Sequence, residues 1–299
     1  MSAPTLAFRK EMKFAYDVAQ PVSARVRRIV ARNPSAFTYH GTNTYIVGRG
    51  TVAIIDPGPD LPDHVDAIAR AVEGETVSHI VVTHTHLDHS GAVAGLKAKI
   101  GGKVVGAHPK PMPAGEAPSE AIDPGFAPDV LLGDGATVAG EGWTLNAIFT
   151  PGHMSNHHCF ALVEENTLFS GDHVMGWNST IVAPPDGNMR EYFASLDRCA
   201  KREDAAYWPG HGPEIPNPQS YVRALTAHRR LREDEIAACL KDGVTTIPQM
   251  VARMYRHLPQ AMHGAAARAV FAHVEHMVET GRVLSDGPVT PQARYRLPG

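Results

Sequence analysis

Nine consecutive residues, THTHLDHSG at positions 83–91, constrain this chain more than any other feature. They follow the apolar run 77–82, which predicts a strand. The polar cluster therefore falls in the loop at that strand's carboxyl end, where sheet enzymes commonly hold their chemistry. His84, His86, Asp88 and His89 place four ligand-capable side chains within six positions. A lone histidine is most often a surface or satisfied core residue. Four such groups on one loop instead favour a shared divalent cation, and imidazole with carboxylate suits Zn²⁺ and other transition ions.

Three later sites repeat the pattern of an apolar strand ending in a Gly-containing polar turn. His153 lies in TPGH after 145–149, Asp172 in SGDH after 167–169, and His211 in WPGHG after 205–208. Glycine permits tight turns and close backbone approach there. Further strands are expected at 25–30, 42–47 and 51–55, an antiparallel start to a sheet, and around Val104 and 159–163. Asp60 reads as a helix cap with Pro62 in the first turn and Val65, Ile68, Ala69 and Val72 on the apolar face, the helix ending near Gly74. A short helix follows at 92–100. The Pro- and Gly-rich stretch 108–128 predicts a long surface loop at the rim of the site. Cys159 follows His157 and His158 on a strand, where a packed thiol is favoured over a nucleophile.

The texture changes after Pro218. Helices are expected at about 220–240, 247–255 and 265–279, followed by a hairpin within 282–297, which together describe a winged-helix-like unit. The chain therefore divides into a body, 1–217, and an appended domain, 218–299. Charge divides with it: residues 1–214 hold 17 Lys and Arg against 24 Asp and Glu, whereas 215–299 hold 11 against 7. A mildly basic tail beside an acidic body is a weak footprint for a polyanion. Arg223, Arg229, Arg230, Arg232, Arg253, Arg256 and Arg268 would supply a nucleic-acid surface, or would solvate a lid over the active site.

No run approaches the roughly 20 apolar residues needed to span a bilayer. The start, MSAPTLAFRKEMKF, has no secretory pattern, and Cys159, Cys199 and Cys239 leave an odd thiol. These features point to a reducing, cytoplasmic setting without a membrane partner.

The ordered set of His and Asp motifs resembles that of the metallo-beta-lactamase superfamily. THTHLDHSG matches the HxHxDH signature, and His153, Asp172 and His211 match the remaining ligand positions, over roughly residues 24–214. The resemblance implies an α/β fold, an αββα sandwich of two mixed sheets flanked by helices. It implies that His84, His86 and His153 hold one divalent ion, that Asp88, His89 and His211 hold a second, and that Asp172 bridges them. Zn²⁺ is the expected metal, with iron or manganese as alternatives. Asp56, in IIDPG, resembles an early conserved Asp that braces the metal loops. Hydrolysis by a metal-activated hydroxide follows, with Asp88 and His86 assigned catalytic roles.

Within the superfamily, the chain is similar to the winged-helix-bearing beta-lactamase-like protein 2 group. The likeness runs through GTNTYIVG at 41–48, TPGH at 150–153, YWPGHGP at 207–213 and the tail segments HRRLREDEI and AVFAHVEHMVETGRV. It departs from that group in its N-terminus, the Pro-rich loop after His108 and the segment WNSTIVAPPDGN at 177–188. The resemblance implies a small ester or thioester substrate first, with single-stranded RNA and lactones as alternatives. An exported beta-lactamase is disfavoured because Asp172 is present and no signal is visible. A homodimer is compatible with these readings.

Overall fold

The computed structural model describes residues 6–299 except Glu116 and Ser119. The expectation for the first five residues, and for those two positions of the Pro-rich loop, lies outside the described residues.

The first sheet contains β1 (Gln20–Pro21), β2 (Val26–Val30), β3 (Asn43–Arg49), β4 (Thr51–Ile55), β5 (Thr76–Val81), β6 (Lys103–Gly106) and β7 (Val130–Leu131), in that spatial order. Strands β2, β3 and β4 pair antiparallel, β3 and β4 across Gly50 alone, and β4 through β7 are parallel. The parallel half needs crossovers, which are supplied by α1 (Pro62–Ala71), by α2 (Leu87–Ser90) with α3 (Val93–Ile100), and by the long loop before β7. Pro62 opens α1, but its N-cap is Leu61 with no side-chain cap bond, so Asp60 is not the cap the sequence suggested. The helix ends at Ala71, with Gly74 at φ 78° in the turn beyond.

The second sheet runs β13-β12-β11-β10-β9-β8, from β8 (Thr137–Gly140), β9 (Trp143–Phe149), β10 (His158–Leu162), β11 (Thr167–Gly171), β12 (Ala206–Pro209) and β13 (Ile215–Pro216). The helix α4 (Met189–Ala200) links β11 to β12, which pair in parallel. Three apolar layers hold the sandwich together. Ile54, Ile80, Ile68 and Leu96 join the first sheet to α1 and α3; Ile55, Val81, Leu145, Phe160 and Phe169 fill the space between the sheets; Leu168, Tyr207, Tyr192 and Leu196 join the second sheet to α4. This is the αββα arrangement, with each sheet covered on its outer face by helices.

Beyond β13 the chain forms α5 (Pro218–Lys241), α6 (Ile247–Met254) and α7 (His263–Glu279), then a short antiparallel pair, β14 (Leu284–Ser285) with β15 (Tyr295–Arg296). The three helices and hairpin are those read from the sequence. The 24-residue α5 belongs to two cores: Tyr221, Val222 and Leu225 pack with Tyr192 and Leu196 of the body, whereas Ile236, Cys239 and Leu240 pack with Met250, Val270, Val274 and Tyr295. Among the described residues, no helix is long and apolar enough to cross a membrane.

Candidate metal centre

All seven side chains singled out in the sequence meet at one end of the sandwich. They project from the loop and short helix after β5, the turn after β9, the end of β11 and the turn after β12. His84 Nε2 lies 3.0 Å from His86 Nδ1, which lies 3.1 Å from His153 Nε2. His89 Nε2 is 3.2 Å from His211 Nε2, and Asp88 Oδ2 is 3.2 Å from the same His211 nitrogen. Asp172 lies between these groups: Oδ2 is 3.3 Å from His211 Nε2 and 3.9 Å from His153 Nε2, while Oδ1 is 3.5 Å from His89 Nε2.

The outward-facing ring nitrogens are fixed by the protein. His89 Nδ1 donates to Asp56 Oδ2 at 2.8 Å, His153 Nδ1 to the Ile181 carbonyl at 2.6 Å and His211 Nδ1 to the Gly41 carbonyl at 3.2 Å. His84 Nδ1 lies 2.9 Å from Thr83 Oγ1. Such anchoring sets both the tautomer and the aim of a ligating imidazole. Asp56 also accepts from the Thr83 backbone N–H and hydroxyl, both at 2.8 Å, so one carboxylate ties β4 to the HxHxDH loop. Its φ of 49° turns the chain sharply at the end of β4.

Electrostatics differ across the cluster. Burial, reinforced by the His153 ring, pushes His86 down to about 3, and burial with the His89 ring holds His84 well below the usual imidazole range. Burial opposes charge on His211 too, but the Asp172 and Asp88 carboxylates outweigh it and lift that ring to about 10. Asp172 likewise stays far below the usual carboxylate range, because His211 and His89 overcome the cost of its burial. Two carboxylates thus gather positive charge into one half of a deeply buried site.

The donor set fits divalent ions. His84, His86 and His153 offer three mutually close ring nitrogens; Asp88, His89 and His211 form a second such group; and His84, His89 and Asp172 form a third that overlaps both. Asp172 Oδ1 is buried without a hydrogen-bond partner, an acceptor left over for a cation. Gly210 completes the cradle: a Cβ there would stand 2.5 Å from Asp172 Oδ1 and 2.6 Å from His89 Cε1.

Several supporting residues were not legible as site residues. His157 Nε2 accepts from the Asp172 backbone N–H at 3.2 Å, and its Nδ1 faces Thr150 Oγ1 at 2.9 Å, so it holds the β11 turn against the β9 turn. Its place two residues before β10's apolar positions gave a weak signal. Glu120 comes from the Pro-rich loop, its Oε2 3.8 Å from His86 Nδ1, and burial raises its carboxyl. That loop folds over the metal motif through Leu87 N to Ala121 O at 2.9 Å and Asp123 N to Thr85 O at 2.8 Å, which makes it a rim. Cys159 is fully buried, with its thiol raised by burial and the neighbouring Cys199, as befits packing.

The pattern of the metallo-beta-lactamase superfamily matches residues 38–211, more than half of the chain. The chain belongs to the metallo-beta-lactamase superfamily. As a superfamily member it is a hydrolase, and residues 246–288 match the beta-lactamase associated winged helix domain. Thioesterase pkgB of Emericella nidulans is 35% identical over 78% of this chain and 64% of its own length, so the chain spans under two thirds of that relative. Atrochrysone carboxyl ACP thioesterase dmxR1 of Cryptosporiopsis is 32% identical over 80% of this chain and 74% of that protein. A beta-lactamase-like protein 2 homolog of Caenorhabditis elegans is 33% identical over 88% of both chains. A beta-lactamase domain protein from Burkholderia ambifaria superposes with a TM-score of 0.78 at 20% identity, covering 96% of each chain, which extends the likeness in fold through the tail.

Proposed function

We propose that this superfamily member is a binuclear metal-dependent hydrolase of small thioesters or esters. The observation that carries the binuclear reading is Asp172, whose two oxygens face histidines of both trios. In this reading His84, His86 and His153 hold one ion, Asp88, His89 and His211 the other, and Asp172 both. Zn²⁺ suits a donor set of imidazoles and carboxylates without thiolate, and iron or manganese would also be accepted. Two such ions, when bound, acidify water and polarise the bond under attack.

The protein's own residues set the rest. Asp88 has 29% of its side chain exposed, against 9% for Asp172, so it is the ligand-set carboxylate that reaches the substrate side. Burial raises its carboxyl, but His89 and His211 outweigh that and hold it deprotonated, so it can bind a cation and orient an attacking water by accepting its hydrogen bond. His86 is the ring shared between the first trio and the rim carboxylate Glu120. Residues 1–217 serve as the catalytic body and 218–299 as the appended unit. In this reading the tail borders the substrate side: a cavity of about 590 Å³ lies between Pro184, Pro185 and Asn188 of the body and Ala267, Phe271 and Val289 of the tail, and Asn188 N donates to the Gly152 carbonyl, beside His153, at 2.9 Å. The relatives named thioesterases support the thioester class. A cytoplasmic setting accords with three free, buried cysteines.

The test is a parallel hydrolysis screen of the metal-loaded chain against acyl thioesters, lactones, phosphodiesters and short single-stranded RNA, with the His86→Ala and Asp88→Ala proteins alongside. Thioester turnover lost by orders of magnitude in both folded variants is expected. Cleavage confined to RNA and lost in His86→Ala would replace this reading with an endoribonuclease.

A further inference from the structure

The segment 177–188, WNSTIVAPPDGN, holds His153 through the Ile181 carbonyl, and its Thr180 and Ile181 also line a second cavity, of about 280 Å³. This cavity lies at the junction of body and tail. Its opposite body wall is Ala36 and Phe37, in the stretch leading to Gly41, whose carbonyl holds His211. One ligand of each trio is therefore anchored by a segment that borders this space.

The tail contributes His228, Arg229, Arg232, His257 and His273 to the lining, and no Asp or Glu lines it among the described residues. Part of this nitrogen-rich wall has structural duties. Arg229 donates to the Thr180 carbonyl and sits 5.2 Å over the Tyr192 ring; Arg232 pairs with Glu235 at 2.7 Å; His273 Nδ1 lies 3.4 Å from Glu233 Oε1. Those contacts leave donors over. His228 Nδ1 and Arg229 Nε are buried without a hydrogen-bond partner, and Arg229 is only 4% exposed. Two orphaned nitrogens in the wall of one cavity call for an acceptor.

We propose that this cavity is a subsite for a phosphate group carried on the far end of the substrate from the bond that is cleaved. A phosphate offers several acceptor oxygens and negative charge, and guanidinium groups with ring N–H donors recognise both. A carboxylate would meet fewer of the spare donors. The inference rests on the thioester reading for the identity of the substrate, but the site itself can be probed without hydrolysis.

The matched probes are 4′-phosphopantetheine and pantetheine, thiols that differ only in the phosphate, with inorganic phosphate as a third. Calorimetric titration of the metal-loaded full chain should show phosphopantetheine binding about tenfold or more tighter than pantetheine, the worth of one or two charge-assisted hydrogen bonds. That advantage should shrink to about twofold or less in His228→Gln combined with Arg232→Gln, two half-buried positions of the cavity wall, with the variant's melting temperature checked separately. Equal affinity for the two thiols would overturn the proposal, and so would a phosphate advantage that the double variant leaves intact, since the phosphate would then sit elsewhere. Inorganic phosphate binding that matches phosphopantetheine and is lost in the same variant supports the subsite, and shows that the phosphate alone supplies the affinity. Tighter binding of a short single-stranded RNA than of phosphopantetheine, lost in the double variant, would assign the cavity to a nucleic acid and also overturn it. Thioester turnover is scored apart: turnover without phosphate discrimination defeats the subsite and keeps the hydrolase reading, whereas phosphate binding without turnover does the reverse.

Discussion

Asp56 Oδ2 accepts the His89 Nδ1 proton at 2.8 Å while its other oxygen accepts the Thr83 backbone N–H at the same distance. One buried carboxylate thus fixes both the start of the HxHxDH loop and the ring at its end. The family resemblance implies this bracing role for Asp56, and the contact explains why the acid must lie at the end of β4, beside β5.

Replacing Asp56 with Asn keeps the size but loses the charge and leaves one oxygen to serve three donors. Affinity for divalent metal is expected to fall roughly 10- to 100-fold, the usual effect of losing a ligand's outer partner, with the fold retained. Competition with a chromogenic chelator measures it. Unchanged affinity in the folded variant would mean that His89 is oriented by something else.

Gly210→Ala tests the cradle from the backbone side. A Cβ at 2.5 Å from Asp172 Oδ1 must displace a buried carboxylate or the β12 turn. Metal retention through dialysis should drop well below that of the native chain, while far-ultraviolet circular dichroism stays native. Full retention would show that the turn relaxes away from Asp172.

How much of this was readable in advance depends on the kind of signal. The HxHxDH loop, TPGH, SGDH and WPGHG are local motifs at strand ends, and the fold brings all seven of their side chains together. Strand 51–55 matches β4, and the tail helices fall within two residues of their expected ends. Helix α4 went unread, although Asn188 caps it by accepting the Glu191 N–H at 3.0 Å and Met189, Tyr192, Leu196 and Cys199 form its buried face. Pro184, Pro185 and Gly187 just upstream gave that stretch the look of a loop. Strand β7, with both residues exposed, has no apolar alternation to find. Glu120 carries no sequence signal and His157 only a weak one, because their roles arise from contacts across the chain and not from spacing.

The two cores of α5 predict where the tail can be cut. A chain ending at 217 strips Tyr221, Val222 and Leu225 from the layer over the second sheet, and loses the Tyr221 hydroxyl bond to the Met175 carbonyl at 2.8 Å. Burial of each such side chain is worth about 1.5–3 kcal/mol. That truncation should lose cooperative melting, whereas a chain ending at 241 should keep it. A cooperative, native-like melt of residues 1–217 would contradict the shared core.

Acid should weaken the junction between tail and body. Burial, with Arg229 adding and Glu233 opposing, pushes His273 down to about 4. Its folded value thus lies below its unfolded value of 6.5, so its contribution is fully present above pH 6.5 and is lost as pH falls towards 4. The full loss is on the order of 3 kcal/mol. Burial with Arg229 and Arg232 lowers His228 to about 4 as well, with the same sign. Urea midpoints measured from pH 7 to 4 should fall, and less steeply in His273→Gln. Identical slopes in the two proteins would show that His273 is not buried neutral.

Anomalous scattering from crystals of the metal-replete chain tests most directly whether this pocket holds two ions. Two peaks are expected, one among His84, His86 and His153, the other among Asp88, His89 and His211, with Asp172 touching both. A single peak, or a well-ordered pocket with none under metal-replete conditions, would contradict the binuclear reading.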